Sequence, residues 1–156
     1  MIGKPPTLLC VSNYATNTGY AWDFIERLYA GIAERLFAHG IRTLVAYPAI
    51  CGSPETLLGS TAQAIHLENV QVVYFTDQPA YSPKYLRLRW AGVRRIIVHD
   101  HTSGARTKPR IVKRYIKWLL ARVPWWVADT VVTVSDYVAN RQIEVGLIPS
   151  SRVIRV

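Results

Sequence analysis

Short apolar runs alternate with amphipathic stretches along most of this 156-residue chain. Continuous apolar runs rich in β-branched residues are typical of buried strands in a parallel sheet, and a helical spacing of apolar residues indicates a helix packed on that sheet. The apolar runs predict strands at Thr7–Ser12, Arg42–Tyr47, Ala64–Glu68, Val70–Thr76, Arg95–Val98, Thr130–Val134 and Val153–Val156. The helical spacing predicts helices at Trp22–His39, Pro83–Trp90, Pro109–Val123 and Asp136–Val145.

The turn and cap residues support this division. Gly40 follows the first predicted helix as a C-terminal cap, and Ser82 precedes the second as an N-cap. The Asn13–Tyr20 and Pro48–Gly59 segments are predicted loops. A regular alternation of strands and helices predicts a single α/β domain, a Rossmann-like doubly wound parallel sheet with right-handed crossovers.

A cluster of ionisable residues follows one of the predicted strands. The Ile96–Gly104 segment runs from β-branched residues into His99, Asp100 and His101, and then into a Ser-Gly turn. Ligands of open α/β sheets bind beyond the carboxyl ends of the strands, so the cluster is the first candidate for chemistry. The structural alternative is that one histidine caps the strand and the other is solvated. That alternative is the better one for a single histidine, whereas the cluster favours function.

Other strand ends bring further polar residues to the same edge. Asp77 and Gln78 follow the Val70–Thr76 strand, and Ser135 follows Thr130–Val134. Ser135 also stands directly before a predicted helix, where serine is a common N-cap. The Asn13–Tyr20 loop leads into the first helix, whose N-terminus can hold a phosphate, but the loop lacks the glycine pattern of a dinucleotide-binding motif or a P-loop.

The net charge of +9 is concentrated in one part of the chain. Residues 84–122 contain twelve basic side chains and a single acidic one, Asp100. Such a block indicates an anionic partner that meets one face of the protein.

Part of the basic block lies on the predicted helix Pro109–Val123. At about 100° per residue, one arc of this helix is apolar and the opposite arc is basic, with Trp118 at the edge. The basic arc consists of Arg110, Lys113, Arg114 and Lys117. One interpretation is a solvated basic face on a helix whose apolar arc packs on the sheet. The other is a surface for anionic lipid, and nucleic acid ranks below lipid because the chain has no nucleic-acid-binding signature.

The remaining composition favours a protein of the cytoplasm. Cys10 and Cys51 lack a metal or redox spacing and are predicted to be reduced, inert thiols. The amino-terminal segment does not have the pattern of a secretory signal, and Arg122, Pro124 and Asp129 interrupt the Trp118–Val134 segment, so we do not expect a membrane span there. We expect a cytoplasmic protein that can also lie on the inner face of the plasma membrane.

Four stretches of the chain resemble the amino-terminal domain of a GT-B nucleotide-sugar glycosyltransferase, most closely of glycosyltransferase family four. These stretches are Leu8–Asn13 with the Gly19 loop, Ile32–Gly40, Val93–His101, and Ala128–Asp136 continued by Val145–Pro149 and Val153–Val156. Together they are spread over nearly the whole length of the chain, from Leu8 to Val156, in the order and spacing of the family.

The resemblance implies a hexosyl-type transferase that moves a sugar from a nucleotide-sugar donor to an acceptor with retention of configuration. It implies that His99 is the catalytic histidine of the cleft and contacts the sugar, with Asp100 and His101 as second choices for the sugar or the acceptor. Asp77 and Ser135, which the strand ends bring to the same edge, are further candidates for these contacts. The resemblance places Gly19 and the adjacent Thr18 near the donor phosphate. No metal or other cofactor is expected.

The resemblance also implies that residues 1–156 are the acceptor-side half of a longer enzyme and are inactive alone, because the carboxy-terminal donor-binding domain is not part of this sequence. The acceptor is expected to be a glycolipid, a polysaccharide precursor of the cell envelope or another glycan, without a nucleic-acid partner. The alternative is a non-catalytic Rossmann-like binding domain that uses its basic face for anionic lipid or nucleic acid.

Overall fold

The structure, a computed structural model, describes residues 5–48, 65, 68–102, 104, 107 and 109–156. In this part of the chain six parallel strands form one sheet in the order β2-β1-β3-β4-β5-β6. The strands are β1 (Thr7–Val11), β2 (Arg42–Ala46), β3 (Val70–Thr76), β4 (Arg95–Asp100), β5 (Thr130–Thr133) and β6 (Val153–Arg155). The helices are α1 (Tyr20–Phe37), α2 (Tyr85–Trp90), α3 (Ile111–Leu120) and α4 (Asp136–Glu144), and a 3₁₀ turn (Ser150–Arg152) precedes β6. The predicted doubly wound α/β fold is confirmed.

The two faces of the sheet carry separate apolar cores, because successive side chains of a strand point to opposite faces. On one face Leu8, Cys10 and Tyr74 pack against Ile25 and Tyr29 of α1. On the other face the alternate strand residues join Tyr85 and Leu88 of α2; these strand residues are Leu9, Val11, Val73, Phe75, Ile96, Val98 and Val131. The face to which a residue of β3 or β4 points therefore decides which neighbours it meets.

Most predicted elements are present, with ends that differ by a few residues. The α1 helix begins at Tyr20 rather than Trp22, and β4 continues to Asp100, so that His99 and Asp100 are its last two residues. Cys10 is a free, buried thiol, and burial raises its pKa to about 12. Cys51 and nearly all of the predicted Pro48–Gly59 loop lie outside the described residues.

The predicted strand Ala64–Glu68 is wrong. Ile65 is helical and buried in the apolar core, and Glu68 lies in the turn that leads into β3. Asn69 has a φ of 53° in this turn, which redirects the chain into the strand. Both β1 and β3 already have a paired strand on each side. Ile65 is therefore buried by packing against the core rather than by pairing as a strand.

The interpretation in which the apolar arc of α3 packs on the sheet is wrong. Ile111, Val112, Tyr115, Ile116 and Leu119 are all exposed, and α3 has no buried residue. The arcs themselves are as predicted. The helix lies away from the two cores, so its amphipathic pattern is not explained by packing within the described part of the chain.

Candidate functional site

An open cleft lies at the carboxyl ends of β1 and β3. From β1 the chain passes through α1 to β2, which lies on one side of β1 in the sheet. The next strand, β3, lies on the other side of β1, so the winding of the sheet reverses at this point. Such a switch point is the usual ligand site of an open α/β sheet. The cleft has a volume of about 230 Å³ and is lined by Tyr14, Tyr20, Ala21, Phe24, Ile25, Asp77 and His101.

Asp77 joins the ends of β3 and β4. Its backbone N–H donates to the carbonyl oxygen of His99 at 2.8 Å, and its Oδ1 accepts from the backbone N–H of His101 at 2.7 Å. Its φ of 53° is left-handed, a conformation that Asp tolerates better than most residues. Its side chain is only 3% exposed. Asp77 therefore fixes the backbone on which both histidines stand.

His101 forms part of the cleft wall. Its ring lies over that of His99, with centroids 3.9 Å apart, and its other contact is the edge of Phe24 of α1 at 5.2 Å. Its Nδ1 is 3.4 Å from Asp77 Oδ1, but this contact does not have the geometry of a hydrogen bond.

His99 lies behind His101 on the α1 face of the sheet and is 4% exposed. Its Nδ1 is 2.5 Å from the hydroxyl of Tyr74. Burial, and then the proximity of His101, lowers the pKa of His99 to about 4, so its imidazole is neutral at neutral pH. Burial raises the pKa of the Tyr74 phenol, which therefore keeps its proton.

The tautomer of His99 follows from these contacts. Among the described residues the Tyr74 hydroxyl makes this one hydrogen bond, so we infer that it donates its proton to Nδ1 of His99. In a neutral imidazole that accepts at Nδ1, the proton resides on Nε2. Tyr74 thus fixes a His99 ring that presents an N–H donor at Nε2.

Three ring nitrogens beside the cleft lack a hydrogen-bond partner among the described residues. These are Nε2 of His99 and both Nδ1 and Nε2 of His101, all of them buried. An unsatisfied buried polar group costs about 1–3 kcal/mol, and most buried polar groups in proteins are paired. Such a concentration at a cleft indicates groups that are completed by a ligand.

Asp100 stands apart from the histidines, although it follows His99 directly. It points to the opposite face of the sheet, where its carboxylate accepts from Arg141 at 2.7 Å, from Gln142, and from the backbone and hydroxyl of Thr102. Burial alone raises its pKa, but these hydrogen bonds outweigh that effect and hold the pKa below its ordinary value. The structure therefore does not bring Asp100 to the cleft.

The other predicted site residues lie at helix starts. Ser135 accepts from the backbone N–H of Val138 at 3.3 Å, which confirms it as the N-cap of α4, and it does not line the cleft. Gly19 has a φ of 85° and occupies the N-cap position of α1. Thr18 donates through its hydroxyl to the carbonyl oxygen of Ala15 at 2.7 Å. They are the two residues that precede Tyr20, which does line the cleft.

Sequence reasoning did not identify Tyr74, Phe24 or the Arg141–Gln142 pair. Tyr74 carries a weak signal, as a polar aromatic residue inside an otherwise apolar strand. Phe24 and Arg141 carry none, because their roles depend on how α1 and α4 dock on opposite faces of the sheet.

The predicted basic arc is on the surface. Arg110, Lys113 and Arg114 are exposed, Lys117 is half-buried, and Trp118 is 41% exposed. Arg106 and Lys108, which extend the basic block in sequence, lie outside the described residues. The described part of the chain contains no group of three or more His, Cys, Asp or Glu side chains arranged to hold a metal ion. None of its helices is both long enough and apolar enough to cross a membrane.

Comparisons with known proteins identify the fold. No protein-family model matches the chain, and a search of curated proteins found no match. Among solved structures, the chain is similar to a glycosyltransferase from Rickettsia africae ESF-5, with a TM-score of 0.63 and 17% sequence identity. The match covers 99% of this chain and 43% of that protein. The chain thus has the Rossmann-like fold of a region in a glycosyltransferase about twice its length.

Proposed function

We propose that this chain is the amino-terminal, acceptor-side domain of a retaining GT-B glycosyltransferase of family four, which transfers a hexosyl-type sugar from a nucleotide-sugar donor. Two observations support the proposal. The whole chain shares its fold with part of a glycosyltransferase, and three buried ring nitrogens without described hydrogen-bond partners lie in the wall of its cleft, on His101, or directly behind it, on His99. The second observation carries the proposal, because sugars present many hydroxyl groups that donate to and accept from such nitrogens.

His101 and Asp77 make the first contacts with the sugar in this proposal, since both line the cleft. A hydroxyl of the sugar contacts both His101 and the Asp77 carboxylate, which lie 3.4 Å apart without forming a direct hydrogen bond. His99 donates through Nε2 to a further hydroxyl. Because the His101 ring lies 3.9 Å from that of His99, this contact requires the His101 side chain to turn aside.

The neutral imidazole of His99 suits this task better than a charged group. A protonated histidine attracts anions and phosphates, whereas a neutral ring donates and accepts without changing the charge of the cleft. Positioned hydrogen bonds of this kind hold a sugar in the reacting orientation and stabilise charge that develops as the glycosidic bond to phosphate breaks. Gly19 and Thr18 lie beside the donor phosphate in the proposed enzyme, and a carboxy-terminal domain supplies the remaining donor contacts.

The partners follow from the proposed reaction. The acceptor is a glycan or a lipid-linked glycan of the cell envelope on the cytoplasmic side, and no metal is required. Asp100 and Ser135 have structural roles away from the cleft, since Asp100 binds Arg141 of α4 and Ser135 caps that helix.

The decisive experiment is sugar transfer by the protein that contains this domain, measured with a radiolabelled nucleotide-sugar. His99→Ala and His101→Ala are each expected to lower transfer by on the order of a hundredfold, the typical loss for one positioned hydrogen-bond donor. His39→Ala is the matched control, because His39 is exposed at the end of α1. Full activity in both cleft variants, with circular dichroism unchanged, contradicts the proposal.

Retention has a separate readout. The anomeric proton of the product, followed by NMR from the first turnovers, is expected to show the same configuration as the donor sugar. The opposite configuration excludes the retaining class and leaves the proposed cleft residues unaffected.

A further inference from the structure

The α3 helix presents an apolar surface that the rest of the described chain leaves uncovered. Three apolar side chains on one arc of the helix are exposed, Ile111 by 87%, Tyr115 by 62% and Leu119 by 43%. Together with Arg114 and Trp118, Ile111 and Tyr115 line a shallow groove of about 330 Å³. Monomeric proteins seldom expose contiguous large apolar side chains, and patches of this kind mark interaction sites.

The opposite arc of α3 is basic, and this favours a partner with negative charge. It carries Arg110, Lys113, Arg114 and Lys117, and the sequence from His101 to Ala128 contains no acidic residue. The side chains in this arc form no described ion pair, unlike Arg141 or Arg89 elsewhere. A partner of α3 must therefore supply negative charge beside an apolar phase.

Aromatic rings occupy the border between the two arcs. Tyr115 and Trp118 stack with ring centroids 6.1 Å apart, and the guanidinium of Arg122 lies 4.1 Å above the Trp118 ring. Tyrosine and tryptophan concentrate where an apolar phase meets water, because each has an apolar ring and a polar tip.

We propose that α3 lies flat on the surface of a membrane that contains anionic lipid. Its apolar arc enters the boundary between headgroups and acyl chains, and its basic arc contacts the anionic headgroups. This inference rests on α3 alone and is independent of the proposed sugar transfer.

Charge separates this partner from the other candidates. A second copy of the chain carries the same net charge of +9, so pairing the two basic helices opposes like charges. A nucleic acid carries the negative charge that the cations require. It has no apolar phase, however, in which the exposed side chains of Ile111, Tyr115 and Leu119 could be buried. An anionic membrane satisfies both arcs at once.

Co-sedimentation of the full chain with vesicles tests the proposal. One set of vesicles contains phosphatidylcholine alone, and the other contains phosphatidylcholine with phosphatidylglycerol. Binding is expected only to the second set, and it is expected to weaken with added salt because exposed charges are screened. The Lys113→Ala/Lys117→Ala variant is expected to bind about thirtyfold more weakly, because each of the two lost cations contributes about 1 kcal/mol near an anionic surface.

Two further variants separate the two arcs. Ile111→Ser/Leu119→Ser keeps every charge but removes apolar area, and it is also expected to lose binding. Arg27→Ala/Arg35→Ala removes two cations from α1 instead, and its binding is expected to stay within about twofold of the unmodified chain, since α1 is not the contact surface. Melting curves verify that all the variants fold.

Several outcomes overturn the inference. Equal binding to neutral vesicles, an equal loss in the α1 control, or full binding by the α3 serine variant each does so. Concentration-dependent dimerisation that the serine variant abolishes assigns the surface to a second copy instead, and binding of the unmodified chain to RNA but not to anionic vesicles assigns it to nucleic acid.

Discussion

Two neighbouring residues of β4, His99 and Asp100, belong to polar clusters of opposite kinds. Asp100 faces α4, where Arg141, Gln142 and Thr102 satisfy its carboxylate completely. His99 faces α1, where Tyr74 satisfies one ring nitrogen and leaves the other without a described partner. One residue of separation along a strand therefore divides a carboxylate that is satisfied within the fold from an imidazole that is not.

The contrast shows how a buried polar group reveals its role. A carboxylate held by several donors stabilises the fold around it, and the protein gains little by exposing it to a ligand. Unpaired nitrogens beside a cleft lower stability unless something binds them. The number of satisfied hydrogen bonds, more than the residue type, separates the structural cluster from the candidate site.

The largest effect on stability is expected when the contacts of the Asp100 carboxylate are broken. Arg141→Ala leaves the Asp100 carboxylate buried with its charge uncompensated, and we expect the free energy of unfolding to fall by about 3–5 kcal/mol in urea titrations. The Asp100→Leu/Arg141→Met variant removes both charges and is expected to recover most of that loss. A change below about 1 kcal/mol in Arg141→Ala shows that Asp100 does not depend on the pair.

A pH titration of stability separates the two clusters within one molecule. The pKa of His99 falls from 6.5 to about 4 on folding, so the unfolded chain binds the proton more tightly. The contribution of His99 to the free energy of unfolding is then fully present above pH 6.5. It is lost as the pH is lowered to about 4, by about 1.4 kcal/mol per pH unit, or about 3 kcal/mol in all. Asp100, whose pKa is depressed, loses its contribution only below its ordinary value of 3.8.

The control for this titration is His99→Gln. It should remove the slope that His99 contributes between pH 6.5 and 4 and keep the loss at lower pH. An unchanged slope in this variant assigns the titration to another group.

Tyr74→Phe is expected to have an intermediate effect, because it leaves Nδ1 of His99 buried without its donor. We expect a loss of about 1–3 kcal/mol in thermal unfolding. Imidazole ¹⁵N shifts should also show that the proton is no longer confined to Nε2. Tyr29→Phe is the matched control, since it removes a buried hydroxyl contact to Thr76 on the same face without touching His99. Identical ¹⁵N spectra for Tyr74→Phe and the unmodified chain contradict the assigned tautomer.

His101→Phe is expected to change stability least. It replaces two unpaired nitrogens by apolar atoms of similar shape, which is nearly neutral or slightly stabilising, within about 1 kcal/mol. Sugar transfer is nevertheless expected to drop as it does in His101→Ala. A large destabilisation places His101 with the structural cluster instead.

The sequence pattern predicted most of the sheet, because buried strands need apolar runs whatever surrounds them. Val70–Thr76 is the clearest example and agrees residue for residue with β3. The Ala64–Glu68 prediction failed because a single buried residue, Ile65, satisfies the core equally well from a helix. Periodicity also gave the arcs of α3 but not their exposure, since the pattern does not tell which surface covers an amphipathic helix.

The candidate site was predictable only in part. The rule that strand ends share one edge of the sheet brought Asp77 and His101 together correctly. It also grouped Asp100 and Ser135 with them, because it takes no account of the face to which a strand-end residue points. The Tyr74–His99 contact needs the β3–β4 register, which pairs Tyr74 with Ile97, and a single sequence does not specify that register.

The all-parallel strand order has a consequence for how the protein folds. No hydrogen-bonded pair of described strands can form as a hairpin, since parallel neighbours require a crossover connection. The β1–β3 pair, which aligns Cys10 with Tyr74, closes one of the longest loops in the chain. Closure of such loops slows folding. The cleft needs this pair, so we expect the amide protons of Tyr74 and His99 to become protected from exchange late in refolding.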